Sequence, residues 1–127
     1  MNIFGVGTDI ISVDRIKNSL KNKNFINRIF NEKEIFRCKK NNNKINCYAK
    51  RFAAKEAFSK ALGTGISNGI NFNEIVVLNQ KSGKPFISVI GQTKKILKKK
   101  FNKKKPKISL SLSDEKKYAV AFVTISL

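Results

Sequence analysis

Histidine is absent from the 127 residues, acidic residues number only eight, and cysteine occurs twice, at Cys38 and Cys47. Without histidine there is no Ser-His or Cys-His relay, so any chemistry must rest on carboxylates, lysines and a metal. Two cysteines without a histidine partner have no metal-ligand spacing. They read as reduced, bystander thiols of a protein in a reducing compartment. No apolar run approaches the ~18–20 residues of a membrane span. The opening Met1–Gly7 has neither the basic start nor the long apolar core of a signal peptide. These absences lead us to expect a soluble, cytoplasmic protein with no membrane partner. The length suits one domain over residues 1–127, and 41% hydrophobic content with ten Phe argues against disorder.

Against the eight acids stand 27 Lys and Arg, a formal charge of +19. A surface this basic attracts phosphate backbones at long range, so a nucleic-acid-binding module without catalysis is one reading. Only four of the cations are Arg, however (Arg15, Arg28, Arg37 and Arg51), and readers of bases and phosphates lean on the bidentate guanidinium. Lys, Asn, Ile and Phe share A/T-rich codons, so a biased genome filling its surface with Lys and Asn is the plainer account. An acidic protein partner or a polyanionic cofactor is the alternative.

Ile3–Ile11 reads as a strand with two faces: Phe4, Val6, Thr8 and Ile10 on one, Ile3, Gly5, Gly7, Asp9 and Ile11 on the other. Glycines in a strand mark the close approach of a backbone or a ligand. Ser12 or Asp14 can cap a helix from Val13. Phe25–Phe30 is a short amphipathic helix, and Asn31 with Glu34 forms a capping box for the next. Ile45–Leu62 is the strongest helix and stops at Gly63. Ile75–Leu78 and Pro85–Ile90 make a hairpin, Gly91–Lys100 a basic helix, and Lys107–Ser113 with Tyr118–Leu127 a second hairpin whose last strand, apolar on both faces, is central. The order predicts one α+β domain with a mainly antiparallel sheet packed on helices.

Three features could carry chemistry. Asp9 ends an apolar, Gly-lined strand face and is either a hydrogen-bonded structural group or a functional one. Glu56 shares a helix face with Ala49, Ala53 and Lys60, and is either one half of an i, i+4 surface pair with Lys60 or a carboxylate on a face packed closely against something. The loop Gly63-Thr64-Gly65, with Lys55, Ser59 and Lys60 upstream, is either a helix stop or a phosphate cradle. Two carboxylates with Lys and Gly form a minimal Mg²⁺–phosphate constellation.

The same segments resemble a known family. Gly5-Val6-Gly7-Thr8-Asp9-Ile10-Ile11 followed by Asp14-Arg15-Ile16, and Arg51 through Ile66, resemble the two signatures of the holo-acyl-carrier-protein synthases of the 4'-phosphopantetheinyl transferase superfamily. Gly83-Lys84-Pro85, Ser109–Ser113 and Tyr118–Ala121 match later landmarks. The resemblance implies transfer of 4'-phosphopantetheine from coenzyme A to a serine of apo-acyl carrier protein, with Mg²⁺ and release of adenosine 3',5'-bisphosphate, in support of fatty acid biosynthesis. It implies Asp9 and Glu56 as metal ligands, Glu56 and Lys60 as catalytic groups, and Arg51, Lys55, Ser59, Lys60, Gly63 and Gly65 around coenzyme A. It implies Arg15, Lys17, Lys21 and Arg28 as the face toward the acidic carrier protein. It further implies a homotrimer, in which the Gly5/Gly7 and Ala-rich faces could serve subunit packing. One position departs from the family: Asp114 stands where many members have His, so that Asp114 either points away or joins the metal or base machinery.

Overall fold

The computed structural model describes residues 2–63 and 69–127. Strand β1 (Ile3–Ser12) leads into helices α1 (Val13–Ser19), α2 (Lys23–Ile29), α3 (Glu32–Lys40) and α4 (Lys44–Leu62). A 3₁₀ turn (Phe72–Glu74) precedes the hairpin β2 (Ile75–Asn79) and β3 (Pro85–Val89). Helix α5 (Gly91–Lys100) and the hairpin β4 (Lys107–Asp114) and β5 (Tyr118–Ser126) complete the chain. All pairings are antiparallel: one sheet runs β1-β5-β4, with β5 central, and the other is the β2-β3 hairpin.

Local signals account for the element boundaries. The Ser12 hydroxyl accepts the Arg15 amide and starts α1. At α3 the capping box is complete: the Asn31 side chain takes the Lys33 amide, and Glu34 Oε1 takes the Asn31 amide at 2.9 Å. Gly63 ends α4 in the left-handed region, φ 79°. Helix α5 has no cap of its own. Glu74, distant in sequence, supplies one by accepting the Gln92 and Thr93 amides and the Thr93 hydroxyl. Burial pulls the Glu74 carboxyl up, but these bonds and one from Asn71 outweigh it and hold its pKa below the usual value.

Helix α4 organises the domain because it is buried on nearly every side. One stripe, Ala49, Ala53, Ala57 and Ala61, repeats at i, i+4 and lies against the sheet. There it meets Gly5 and Gly7, where any Cβ would run into the carbonyls of Ala61 and Ala57. The strand glycines therefore mark the approach of this chain's own helix. They are spent within the fold and are not open for packing between subunits, which corrects that expectation. The two-face reading of β1 holds from Gly5 onward. A register irregularity between Ile3 and Gly5 breaks it before that, leaving Ile3 exposed and Phe4 edge-on against Phe101.

The opposite side of α4 carries Lys55, which is fully buried. Its ammonium donates to Glu34 Oε1 at 2.7 Å and to the carbonyls of Phe72 and Ile75. Glu34 Oε2 in turn accepts the Val77 amide at 3.0 Å. One ion pair thus ties α3, α4, the 3₁₀ turn and β2 together. Burial pushes the Lys55 pKa down while Glu34 pulls it back up. The reading of Lys55 as a coenzyme A contact is corrected here, since all three ammonium hydrogens are used inside the protein.

The cysteine expectation is also corrected. Cys38 and Cys47 form a disulfide, with Cα atoms 5.5 Å apart. The short Asn41–Asn43 turn folds α3 back along α4 and brings the two thiols together, a juxtaposition that metal-ligand spacing does not register.

Two stability predictions follow from this packing. Gly7→Ala overpacks a backbone contact and should lose roughly 3 kcal/mol or fail to fold, measured by urea unfolding. Lys55→Met leaves Glu34 buried and unpaired and should cost ~3–5 kcal/mol, whereas Lys55→Met with Glu34→Gln should recover part of that loss.

Candidate active site

The close approach of β1 and α4 brings Asp9, near the end of one, beside Glu56 and Lys60 on the other. Lys60 Nζ donates to Asp9 Oδ1 at 3.2 Å and to the Thr8 carbonyl at 3.0 Å. Lys60 therefore pairs with Asp9, not with Glu56 at i−4, so the surface-pair reading of Glu56 does not describe this fold. Glu56 is half-buried. Its pKa is raised, first by burial and then by the neighbouring Asp9 charge, while Lys60 and Arg15 pull it down. Two carboxylates close enough to repel, one of them held by a lysine, form a site that favours a cation.

The sequence candidates divide as follows. Asp9, Glu56 and Lys60 come together, and Arg15, exposed on α1, lies near enough to act on Glu56. Arg28 lines a cavity of about 350 Å³ with Glu56, together with Phe25, Phe52, Ile70 and Phe72. Lys17 and Lys21 are exposed on and just after α1. Arg51 is buried, donating to the Cys47 carbonyl and sulfur and, at 2.8 Å, to Asn79 Oδ1, which leaves its Nε without a partner among the described residues. Ser59 is buried with its hydroxyl likewise unpartnered. The Gly63 amide is already given to the Lys60 carbonyl, so Gly63 acts as a helix stop. Gly65 lies outside the described residues.

Asp114 points away from this cluster. Its carboxylate accepts from Asn46 at 2.7 Å and faces Lys50 at 3.5 Å, at the opposite end of α4 from Glu56. In the sheet it stands two strands from Asp9. Asn46 and Asn79 are participants the sequence reading missed. Their only signal was an amide at each end of an element whose neighbour carries a charge.

Among the described residues no three Asp, Glu or Cys side chains converge on one point. A divalent cation here would take two carboxylates from the protein and its remaining ligands from phosphate and water, the pattern that suits Mg²⁺.

Residues 5–123 match the 4'-phosphopantetheinyl transferase superfamily. A holo-[acyl-carrier-protein] synthase from Pelagibacter ubique is 53% identical over 125 residues, covering 98% of each chain. The crystal structure of a holo-[acyl-carrier-protein] synthase from Neisseria meningitidis superposes with a TM-score of 0.87 at 36% identity, over 99% of this chain and 100% of that one. A synthase structure from Bacillus anthracis, in complex with CoA (3',5'-ADP), superposes with a TM-score of 0.79 at 37% identity, over 98% of each chain. The chain belongs to the 4'-phosphopantetheinyl transferase superfamily, among its holo-[acyl-carrier-protein] synthases, and is an enzyme of that class. The expected α+β architecture matches these relatives over nearly the whole chain. Among the described residues no helix is long and apolar enough to cross a membrane.

The raised Glu56 pKa has a checkable sign. Folding favours the protonated form, so Glu56's contribution to stability is present below the ordinary carboxylate range and lost as pH rises through its raised pKa. At neutral pH the ionised group is a burden. Glu56→Gln should therefore stabilise the fold at pH 7, by less than about 1 kcal/mol because the group is partly solvated, seen as a raised Tm, and the advantage should vanish in acid. Lys60→Ala should raise the Glu56 pKa further, read by carboxyl NMR titration.

Proposed function

We propose that this chain transfers 4'-phosphopantetheine from coenzyme A to a serine hydroxyl of an apo-acyl carrier protein, with Mg²⁺, releasing adenosine 3',5'-bisphosphate. The observation that carries the reading is the pairing of Asp9 with Glu56 across the β1–α4 contact, with Lys60 between strand and helix. Asp9 and Glu56 would hold the ion. When bound, it would neutralise charge on the coenzyme A pyrophosphate and on the leaving group. Glu56, with its pKa raised, is suited to take the serine proton at its carboxylate as the hydroxyl oxygen attacks phosphorus and the pyrophosphate P–O bond breaks. Lys60 Nζ, more than half exposed, can turn from Asp9 toward the phosphates. Arg51, Ser59, Gly63 and Gly65 would shape the coenzyme A site, with Lys55 acting only by holding α4 in place.

The partner face is read from charge. Arg15 and Arg28 flank Glu56 from two helices, and Lys17 and Lys21 extend the basic surface, which fits an acidic carrier protein approaching over α1 and α2. A homotrimer is supported by the outer face of the main sheet, where Val6, Ile10, Tyr118 and Phe122 are each at least about two-fifths exposed. We place the enzyme in the cytoplasm, serving fatty acid biosynthesis, with the Cys38–Cys47 disulfide an exception to the reduced state usual there.

Incubating apo-acyl carrier protein with coenzyme A and Mg²⁺ should add one phosphopantetheine to the carrier, read by intact-protein mass spectrometry. Asp9→Ala and Glu56→Ala should each reduce the rate by at least ~10²-fold while retaining a native circular dichroism spectrum. Full activity in both would overturn the site. Arg15→Glu and Arg28→Glu should raise KM for the carrier protein and leave KM for coenzyme A unchanged. If tight, steeply salt-dependent oligonucleotide binding appeared in place of transfer, the nucleic-acid reading would stand instead.

A further inference from the structure

Residues 91–107 contain nine Lys and no acidic residue. None of the ion pairs among the described residues involves these lysines. Codon bias explains an abundance of Lys, but it does not explain their arrangement. Lys94 and Lys98 on α5 and Lys103–Lys105 in the following loop surround a single cavity of about 560 Å³. Its floor is apolar, built from Phe86 and Val89 of β3, Leu97, and Pro106 with Ile108. The cavity shares no residue with the Asp9–Glu56–Lys60 cluster or with the cavity beside Glu56.

The backbone is bent so that the two sets of lysines meet. Asn102 and Lys103 both occupy the left-handed region, φ 52° and 67°, which Asn visits readily but which is costly for Lys103. The turn is held by the Lys103 amide donating to the Lys98 carbonyl at 2.8 Å and the Lys104 amide to the Phe101 carbonyl at 2.9 Å. It carries Lys103–Lys105 back to the cavity that Lys94 and Lys98 also line. Like charges lining one cavity repel one another, and an anion among them would remove that cost.

We propose that this basin binds a single-chain amphiphile with a phosphate monoester head. The head would sit among the ammonium groups and the chain along the Phe86–Val89–Ile108 floor. Charge complementarity selects an anion, and the dianionic head suits several lysines better than one. The apolar floor selects an attached chain over free phosphate, and the concave shape selects a monomer over a bilayer surface. The site stands independently of the transferase reading.

The probe is dodecyl phosphate below its micelle concentration, titrated calorimetrically against the full chain. The expected result is saturable one-to-one binding. It should weaken at least tenfold in the exposed double variant Lys98→Glu/Lys104→Glu and in the cavity-filling variant Val89→Trp, and it should fall as salt rises. The double variant lies on the surface and serves if Val89→Trp does not fold. Equal binding by parent and double variant would overturn the proposal. So would equal affinity for dodecyltrimethylammonium or for inorganic phosphate alone. Capture by anionic phosphatidylglycerol vesicles without binding of monomeric dodecyl phosphate would also overturn it and would assign the lysines to a membrane surface.

Discussion

The contact between β1 and α4 is made backbone to backbone, and the candidate site exists because of it. Gly5 and Gly7 remove side chains from the strand and the Ala49–Ala61 stripe trims them from the helix, so the strand lies directly on helix carbonyls. At this separation a short Asp9 and a Glu56 one helix away feel each other's charge, and Lys60 can reach both Asp9 and the strand carbonyl before it. Larger residues would hold the elements apart at the ordinary spacing of packed side chains, and the two carboxylates would become separate surface acids. A contact this bare buries little apolar area per residue. The other side of α4 must therefore hold the helix in place, and it does so through Phe52, Phe58 and the Lys55–Glu34 pair.

In that pair, charge provides position more than net energy. Replacing a buried ion pair by apolar groups of the same volume is often neutral or better. What apolar groups cannot do is what Lys55 and Glu34 do together: satisfy the carbonyls of Phe72 and Ile75 and the amides of Asn31 and Val77 at one point. Asn31, Phe72 and Ile75 lie at the ends of elements, where no ladder serves them, and Val77 lies within β2, whose one hydrogen-bonded neighbour among the described residues is β3. The pair thereby sets α4 in register with the α3 cap and the hairpin, and so sets where Glu56 falls relative to Asp9. The disulfide between Cys38 and Cys47 ties α3 to α4 a few turns away.

Legibility in the sequence followed the range of each interaction. Caps, the Gly63 stop, the hairpins and the alternation of Ile108, Leu110 and Leu112 against Ser109, Ser111 and Ser113 are written in neighbouring residues, and the structure has them at or within a residue or two of the expected places. Asp9 and Glu56 were conspicuous as candidates because acids are so few. What could not be read was partner choice over distance. Lys55 looked like a ligand for phosphate because its partner Glu34 lies 21 residues away and already had a local role in a capping box. Glu74 drew no reading at all, yet it caps a helix beginning 17 residues later. Cys38 and Cys47 looked unrelated because a turn, not a spacing, joins them.

The scarcity of acids also gives the charge its meaning. Glu34, Glu74 and Asp114 are engaged in fixing helices, and Asp14 and Glu32 sit in first turns where the helix dipole favours them. Glu115 lies exposed in the β4–β5 turn, and that leaves Asp9 and Glu56 as the pair whose mutual repulsion the fold relieves only through Lys60 and Arg15, both exposed. A fold with so many cations could have placed a fixed ammonium between them and gained stability. It leaves the charge only partly compensated, and such a shortfall is what a bound cation would correct.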